Sequence, residues 1–172
     1  TSVTKSPESD KLTKVFWIYT IFTFITTLGY ANFALIGFHF KAKHVLTDAQ
    51  IPLFYALAMG VDAVAAMAIG KTYDIFKVKH NNEKAGLITL IAIPVFSLLI
   101  PGLVFSIKFS WVLAGVIIWG IVMGCHETVM KSAIADLTPL KKRGTGYGVF
   151  NAAYGLAIFI GSALTGLLYE YS

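Results

Sequence analysis

Five long apolar stretches, separated by short polar segments, set the limits on what this chain can fold into. A bilayer core about 30 Å thick is crossed by about 20 helical residues, and each stretch reaches that length. Only 13% of the residues are charged, against about 25% in ordinary soluble domains. The pattern predicts an all-α integral membrane bundle of five transmembrane helices: Val15–Phe40, Ile51–Gly70, Ala85–Phe105, Trp111–Ala135 and Tyr147–Leu168.

The lysines and arginines indicate how the chain is threaded through the bilayer. If the five stretches cross alternately, 11 of the 14 basic residues fall on one side. The other side receives Lys41, Lys43 and Lys108. Because cytoplasmic loops carry the Lys and Arg excess, we expect a multi-pass plasma-membrane protein with a cytoplasmic N-terminus and Ser172 outside.

The remaining bulk features narrow the class of protein. Residues 1–13 are polar and are predicted to form a tail or the end of a linker between two halves, followed by a transmembrane half-domain over 14–172. Cys125 is the only cysteine, which excludes an internal disulfide and a cysteine-based zinc site. No metal and no cofactor is expected. Topology accounts for the net charge of +5, so the expected partner is the lipid bilayer and not nucleic acid.

The predicted helices differ in character. Helices two and five are rich in Gly and Ala, which lets helix backbones approach closely in lipid. Helix three is apolar on nearly every face and is expected to contact lipid, with kinks at Pro94 and Pro101. Helix two ends in Gly-Lys-Thr-Tyr-Asp at 70–74, and helix five ends in Gly-Leu-Leu-Tyr-Glu at 166–170. Because the two helices run in opposite directions, this similarity predicts an inverted three-helix repeat whose last helix is missing.

Two segments resemble the major facilitator superfamily of transporters. The segment Gly70-Lys-Thr-Tyr-Asp-Ile-Phe-Lys-Val-Lys79 is similar to the family's cytoplasmic Gly-x-x-x-Asp-Arg-x-Gly-Arg signature, although Ile75 and Lys77 replace its first Arg and second Gly. The stretch from Gly124-Cys-His-Glu127 to Arg143 resembles the family's tenth helix and the loop after it. The resemblance implies helices seven to eleven of such a transporter, with the N-terminal half of the same protein as a partner.

The resemblance also implies roles for whole helices and for one charge cluster. The first and fourth helices of each half line the transport path, the second and fifth pack between halves, and the third and sixth face lipid. At the cytoplasmic surface the resemblance implies a charge latch that holds the loops in one transport state. Its members would be Gly70, Lys71, Asp74, Lys77, Asp136 and Arg143.

Asp62 is the sharpest single signal in the chain. It lies nine residues before Lys71, which is roughly 14 Å from the inner surface at about 1.5 Å per residue. A carboxylate at that depth costs at least about 2.5 kcal/mol and usually marks an ion or substrate path. The functional hypothesis is proton coupling or substrate contact. The structural alternative is an acid that locks helix two to a neighbour.

His126 and Glu127 are the next candidates for proton coupling or substrate contact. Histidine exchanges protons near neutral pH, which suits coupling. The structural alternatives are a hydrogen-bonded His126 and an ion pair between Glu127 and Lys131, which are four residues apart. These two residues are expected at a different depth from Asp62, which argues against a shared catalytic centre.

Polar side chains on helix one, together with one on helix five, are candidates to line a substrate path. The alternative is that they make hydrogen bonds between helices. The candidates are Tyr19, Thr23, Thr26, Tyr30, Asn32 and Asn151.

The sequence thus favours half of a secondary active transporter that moves a small solute by alternating access, and its intramembrane acids suit coupling to protons. It is not expected to be an enzyme. The alternatives are a non-transporting membrane scaffold or regulatory protein, and, with less support, a membrane-embedded enzyme. The polar residues do not identify the solute.

Overall fold

The computed structural model describes residues 11–80 and 92–171. Within these residues the chain forms seven α-helices and a 3-10 turn at Leu140–Lys142. The helices are α1 (Lys14–Leu28), α2 (Phe33–Ala42), α3 (Gln50–His80), α4 (Ala92–Ser97), α5 (Ile100–Val104), α6 (Phe109–Leu137) and α7 (Arg143–Glu170).

The described helices confirm an all-α membrane bundle. Four helical segments are long and apolar enough to cross a membrane: Lys14–Ala42, Gln50–Lys79, Phe109–Leu137 and Leu140–Glu170. The third predicted span appears as a shorter apolar segment at Ile93–Val104, and its predicted start at 85–91 lies outside the described residues.

The prediction of one continuous helix over Val15–Phe40 is wrong. The first crossing is interrupted between Leu28 and Phe33, so that α1 and α2 are separate helices. Gly29 ends α1, and the Asn32 side chain begins α2 by accepting a hydrogen bond from the Ala34 amide at 3.0 Å. Asn competes with the helix for backbone hydrogen bonds and favours N-cap positions, which explains the interruption here.

The second crossing is longer than predicted. Its helix does not end at Gly70 but continues to His80. Residues 71–80, which were expected to begin a cytoplasmic loop, are therefore helical. Other boundaries agree with the sequence. Thr47 donates its amide to Gln50 Oε1 at 2.9 Å just before α3, as one half of a capping box. Pro139 directly follows the end of α6, and the bend between α4 and α5 lies just before Pro101.

Helices pack closely where small residues meet a neighbouring backbone. A Cβ added to Gly124 on α6 would lie 2.6 Å from the Asp62 carbonyl oxygen on α3. A Cβ added to Gly161 on α7 would lie 2.5 Å from the Leu28 carbonyl oxygen on α1. The expected close approach of helices two and five is therefore present at these points. It is not general, because an added Cβ at Gly60 or Gly155 would meet nothing within 4 Å.

These two close contacts follow the predicted inverted pairing of helices. α3 packs most extensively on α6, and α1 on α7. An offset of 96 positions, which relates Tyr73 to Tyr169, also relates Leu28 to Gly124. The same offset relates Ala65, which Gly124 approaches, to Gly161, which Leu28 approaches. Exchanging the first crossing with the fourth and the second with the fifth therefore maps one contact onto the other.

The contacts between helix ends agree with a chain that crosses back and forth, because alternate crossings end on the same side of the bundle. At one end, Lys77 near the end of α3 pairs with Asp136 near the end of α6. At the other end, the rings of His39 and Phe105 lie 5.2 Å apart, and the rings of Phe105 and Tyr169 lie 5.7 Å apart. The successive crossings that contribute these residues therefore run in opposite directions.

Candidate functional site

The interruption in the first crossing is held open by a reciprocal pair of hydrogen bonds with Trp119 on α6. The indole Nε1 of Trp119 donates to the Ala31 carbonyl oxygen at 2.7 Å. The Tyr30 hydroxyl donates to the Trp119 carbonyl oxygen at 3.0 Å, and the two rings stack with centroids 5.6 Å apart. The first bond pairs the Ala31 carbonyl oxygen, which the interruption would otherwise leave unsatisfied in an apolar setting, and the second gives the Tyr30 hydroxyl an acceptor.

A cavity of about 460 Å³ opens beside this interruption. The volume falls in the range of about 300–1,000 Å³ that is typical of small-molecule sites. Polar groups in its wall come from Thr27, Asn32 and Ser162, and the Asn32 amide donates to Ser162 Oγ at 3.3 Å. Five of its eleven lining residues are aromatic: Tyr30, Phe33, Tyr55, Trp119 and Tyr154.

Of the six residues predicted to line a substrate path, two lie in the wall of this cavity and four lie elsewhere. Tyr30 and Asn32 line the cavity, while Thr26 bonds to carbonyl oxygens of its own helix. Tyr19 and Thr23 are buried in the packing of α1, away from the cavity wall. Because α1 ends before Tyr30, the four-residue stripe expected on one continuous helix is not formed.

The sixth candidate, Asn151, is exposed on α7 and does not reach the cavity. Its helix, α7, is much less buried than α6. Its role as a lining residue stays a prediction.

His126 lies behind the cavity wall, between two of its tyrosines. The centroid of its ring is 5.3 Å from that of Tyr30 and 6.3 Å from that of Tyr154. The side chain is 2% exposed. Among the described residues, neither ring nitrogen of His126 has a hydrogen-bond partner. A buried imidazole in this position has proton-exchanging atoms that the surrounding fold does not occupy.

Asp62 and Glu127 flank the same cluster. Asp62 is half-buried and interacts electrostatically with Tyr30, and the exposed Glu127 interacts electrostatically with Tyr154. Asp62 and Glu127 lie within about one helical turn of each other along the bundle, closer than counting residues from the loops suggests. Gly124 packs directly against Asp62, and Glu127 is three residues further along α6, about 4.5 Å in helical rise. The side chain of Lys131, the alternative partner of Glu127, lies outside the described part of the structure.

Where α3 and α6 both end, two charged residues of the predicted latch come together. Lys77 Nζ donates to Asp136 Oδ2 at 2.7 Å, and the Tyr73 hydroxyl donates to the same oxygen at 2.8 Å. The Lys77 ammonium also lies 5.5 Å from the centroid of the Tyr73 ring. Both charged side chains are mostly buried, with 26% and 20% exposed. This contact ties the end of α3 to the end of α6.

The other predicted members of the latch lie apart from this ion pair. Lys71 and Asp74 are exposed and line a shallow depression on the outer surface of α3. Gly70 faces α6, where an added Cβ would lie 3.0 Å from Thr128 Cγ2. Arg143 donates to the Ala135 carbonyl oxygen at 3.3 Å, a favourable place for a cation at a helix C-terminus.

Each copy of the repeated Gly-x-x-Tyr-acid segment, at 70–74 and at 166–170, contributes a tyrosine that links two helix ends. Tyr73 bonds to Asp136, and its equivalent Tyr169 has its hydroxyl 2.8 Å from His39 Nδ1 at the opposite end of the bundle. His39 is 3% exposed. The repeat detected in the sequence thus marks two equivalent ties, one at each end.

Sequence reasoning missed several residues of the site. Trp119, Tyr55 and Ser162 line the cavity, but as isolated aromatic or small polar residues they carry no pattern that separates them from ordinary membrane-helix packing. Tyr73 was recognised only as part of the repeat. Its position four residues before Lys77 on one helical face was the available signal.

The fold is that of a multi-pass α-helical membrane protein. The chain belongs to the Major Facilitator Superfamily, a transporter family whose sequence profile matches residues 4–171. This membership favours a transporter over an enzyme.

The chain is also similar to proteins described as uncharacterized in Mycobacterium bovis and Mycobacterium tuberculosis. It is 36% identical to each over 167 residues, which is 97% of this chain. The chain spans 39% of the length of these relatives. No solved structure matches it.

Proposed function

We propose that this chain is the C-terminal part of a secondary active transporter that moves a small solute by alternating access. The observation that carries the proposal is the cavity at the interrupted first crossing. In transporters, discontinuous helices form substrate and ion sites near the middle of the membrane. The chain would work with an N-terminal half of the same protein, in the plasma membrane and with residue 1 on the cytoplasmic side.

Proton coupling is the second element of the proposal, with Asp62 as the main exchanging group. An acid beside a cavity that alternately opens to water and closes is solvated differently in the two states, so its proton affinity changes between them. Proton coupling requires such a change. Asp62 neighbours Tyr30 in the cavity wall, and His126 contacts the same tyrosine. Glu127 is the alternative exchanging group, because it neighbours Tyr154.

The charge latch is the third element. The Lys77–Asp136 ion pair, with Tyr73, would hold the ends of α3 and α6 together in one transport state and separate in the other. The exposed Lys71 and Asp74 remain available to contact the other half, which is how they would enter the latch. Arg143 would stabilise the end of α6 next to them.

Alternating access can be tested with a single cysteine in the cavity wall. Ser162→Cys in the complete protein, in a background without other cysteines, should react with a membrane-impermeant maleimide added to either side of sealed vesicles. Lys43→Cys, at one end of the bundle, is the control and should react from one side only. Reaction of Ser162→Cys from one side under every condition would argue for a static membrane protein instead.

The coupling role predicts a specific defect. In proteoliposomes, Asp62→Asn should abolish uptake driven by a pH gradient while leaving insertion and solute counterflow intact. Loss of both activities would indicate that Asp62 contacts the solute. Normal uptake with an unchanged pH dependence would reduce Asp62 to a structural role and favour Glu127.

A further inference from the structure

The wall of the 460 Å³ cavity has a composition that selects among solute classes. Five of its side chains are aromatic, and they come from four different crossings of the membrane. Phe33 is central to this wall, because its ring centroid lies 4.8 Å from that of Tyr55 and 5.3 Å from that of Trp119. An aromatic ring is electron-rich on its face and electron-poor at its edge, so a cation that meets a ring face is attracted to it.

The charges around this cavity have one sign. Among the described lining residues there is no Lys, Arg or His. Two acids interact electrostatically with tyrosines of the wall, Asp62 with Tyr30 and Glu127 with Tyr154. An anion would meet aromatic faces and carboxylates without a compensating cation from this part of the chain. A cation would gain from both, since cation–π attraction strengthens when the site excludes water.

We propose that the transported solute is an organic cation with an apolar or aromatic body, such as a substituted ammonium compound. The aromatic wall takes the charged head and the body, and the Asn32–Ser162 pair supplies hydrogen bonds that orient a polar substituent. This inference rests on the transport role proposed above and specifies the solute class for the same cavity.

The test compares three probes of nearly equal shape against the complete protein in lipid nanodiscs. The probes are benzyltrimethylammonium, neopentylbenzene as its neutral isostere, and phenylmethanesulfonate as an anion. Equilibrium dialysis of radiolabelled benzyltrimethylammonium, with the other two as competitors and empty nanodiscs as the blank, gives the three relative affinities. We expect the neutral and anionic probes to compete at least about 10-fold less well.

Substitutions at Tyr55 separate cation–π binding from simple apolar burial. Tyr55 is 45% exposed, so its replacement leaves the core intact. Tyr55→Leu keeps an apolar side chain but removes the ring, and should weaken binding of the cation about 3- to 10-fold. Tyr55→Phe should stay within about two-fold of the unmodified protein. Tyr171→Leu, at a tyrosine that is 90% exposed and outside the cavity, is the matched control.

The possible outcomes are distinct. Absence of benzyltrimethylammonium binding, or equal competition by the neutral or anionic probe, overturns the assignment of a cation. An equal effect of Tyr55→Leu and Tyr55→Phe overturns the role of the aromatic wall. In either case, two-sided labelling of Ser162→Cys would still support transport, so failure of this inference is distinguishable from failure of the proposed function.

Discussion

Gly124 offers a direct test of the close packing that positions Asp62. In Gly124→Ala the new methyl group would lie 2.6 Å from the Asp62 carbonyl oxygen and 2.9 Å from the Ala66 amide nitrogen. Both are backbone atoms of α3, so no side chain can rotate away, and the helix itself must retreat by about 0.8 Å to reach the 3.4 Å limit of ordinary contact. Overpacking of this kind costs about 1–3 kcal/mol. The better helix propensity of Ala offsets about 0.5–1 kcal/mol of that cost.

We therefore expect Gly124→Ala to lower the free energy of unfolding by about 0.5–2 kcal/mol. The midpoint of thermal unfolding of the complete protein in nanodiscs measures this change. Gly102→Ala on α5 is the matched control, because its added Cβ meets nothing within 4 Å and only the propensity gain remains. If Gly124→Ala and Gly102→Ala raise the unfolding midpoint by the same amount, the added methyl group at Gly124 meets no backbone of α3. That result would refute the close contact between α3 and α6.

Three further perturbations address other parts of the site. Asn32→Ala removes the cap of α2 and should cost about 0.5–2 kcal/mol of unfolding free energy, measured by the same thermal assay, whereas Asn32→Asp should retain most of it. Tyr73→Phe removes a hydrogen bond to a charged carboxylate and should cost about 1.5 kcal/mol in that assay, while the exposed Tyr171→Phe changes nothing. For orientation, a cysteine at Lys43 should react with an impermeant maleimide from outside only and a cysteine at Lys79 from inside only, and the opposite pattern would reverse the assigned topology.

The sequence predicted the membrane class, most helix boundaries and the inverted pairing of helices, because these depend on long patterns. Apolar runs of about 20 residues leave few alternatives to membrane-spanning helices, and Pro139, which lacks a backbone N–H, favours the end of α6 at Leu137. The pairing was detectable because both copies of the Gly-x-x-Tyr-acid segment perform an equivalent task. Tyr73 and Tyr169 each tie helix ends together.

The interruption at 29–32 could not be predicted in the same way, because its causes are spread over two distant segments. Gly29 alone is tolerated within membrane helices, and Asn32 alone can bond to a neighbouring helix. The decisive partner is Trp119, which lies 88 residues from Ala31 and takes up its freed carbonyl oxygen. Depth was misjudged for a related reason. Counting residues from the loops assumes helices of equal tilt and known ends, whereas α3 continues well past its predicted end.

The interruption is also where the two repeats diverge. The offset of 96 positions relates Tyr30 to His126, and the rings of these two residues contact each other, as expected for equivalent positions next to a two-fold axis. The segment from Gly29 to Asn32 corresponds to 125–128, yet α6 continues unbroken through that region. A continuous helix on one side of the axis and an interrupted one on the other leave unequal space, and the 460 Å³ cavity occupies the interrupted side. An exact repeat would bury both equivalents alike, so the departure from symmetry is what leaves the cavity beside an otherwise close-packed pair of helices.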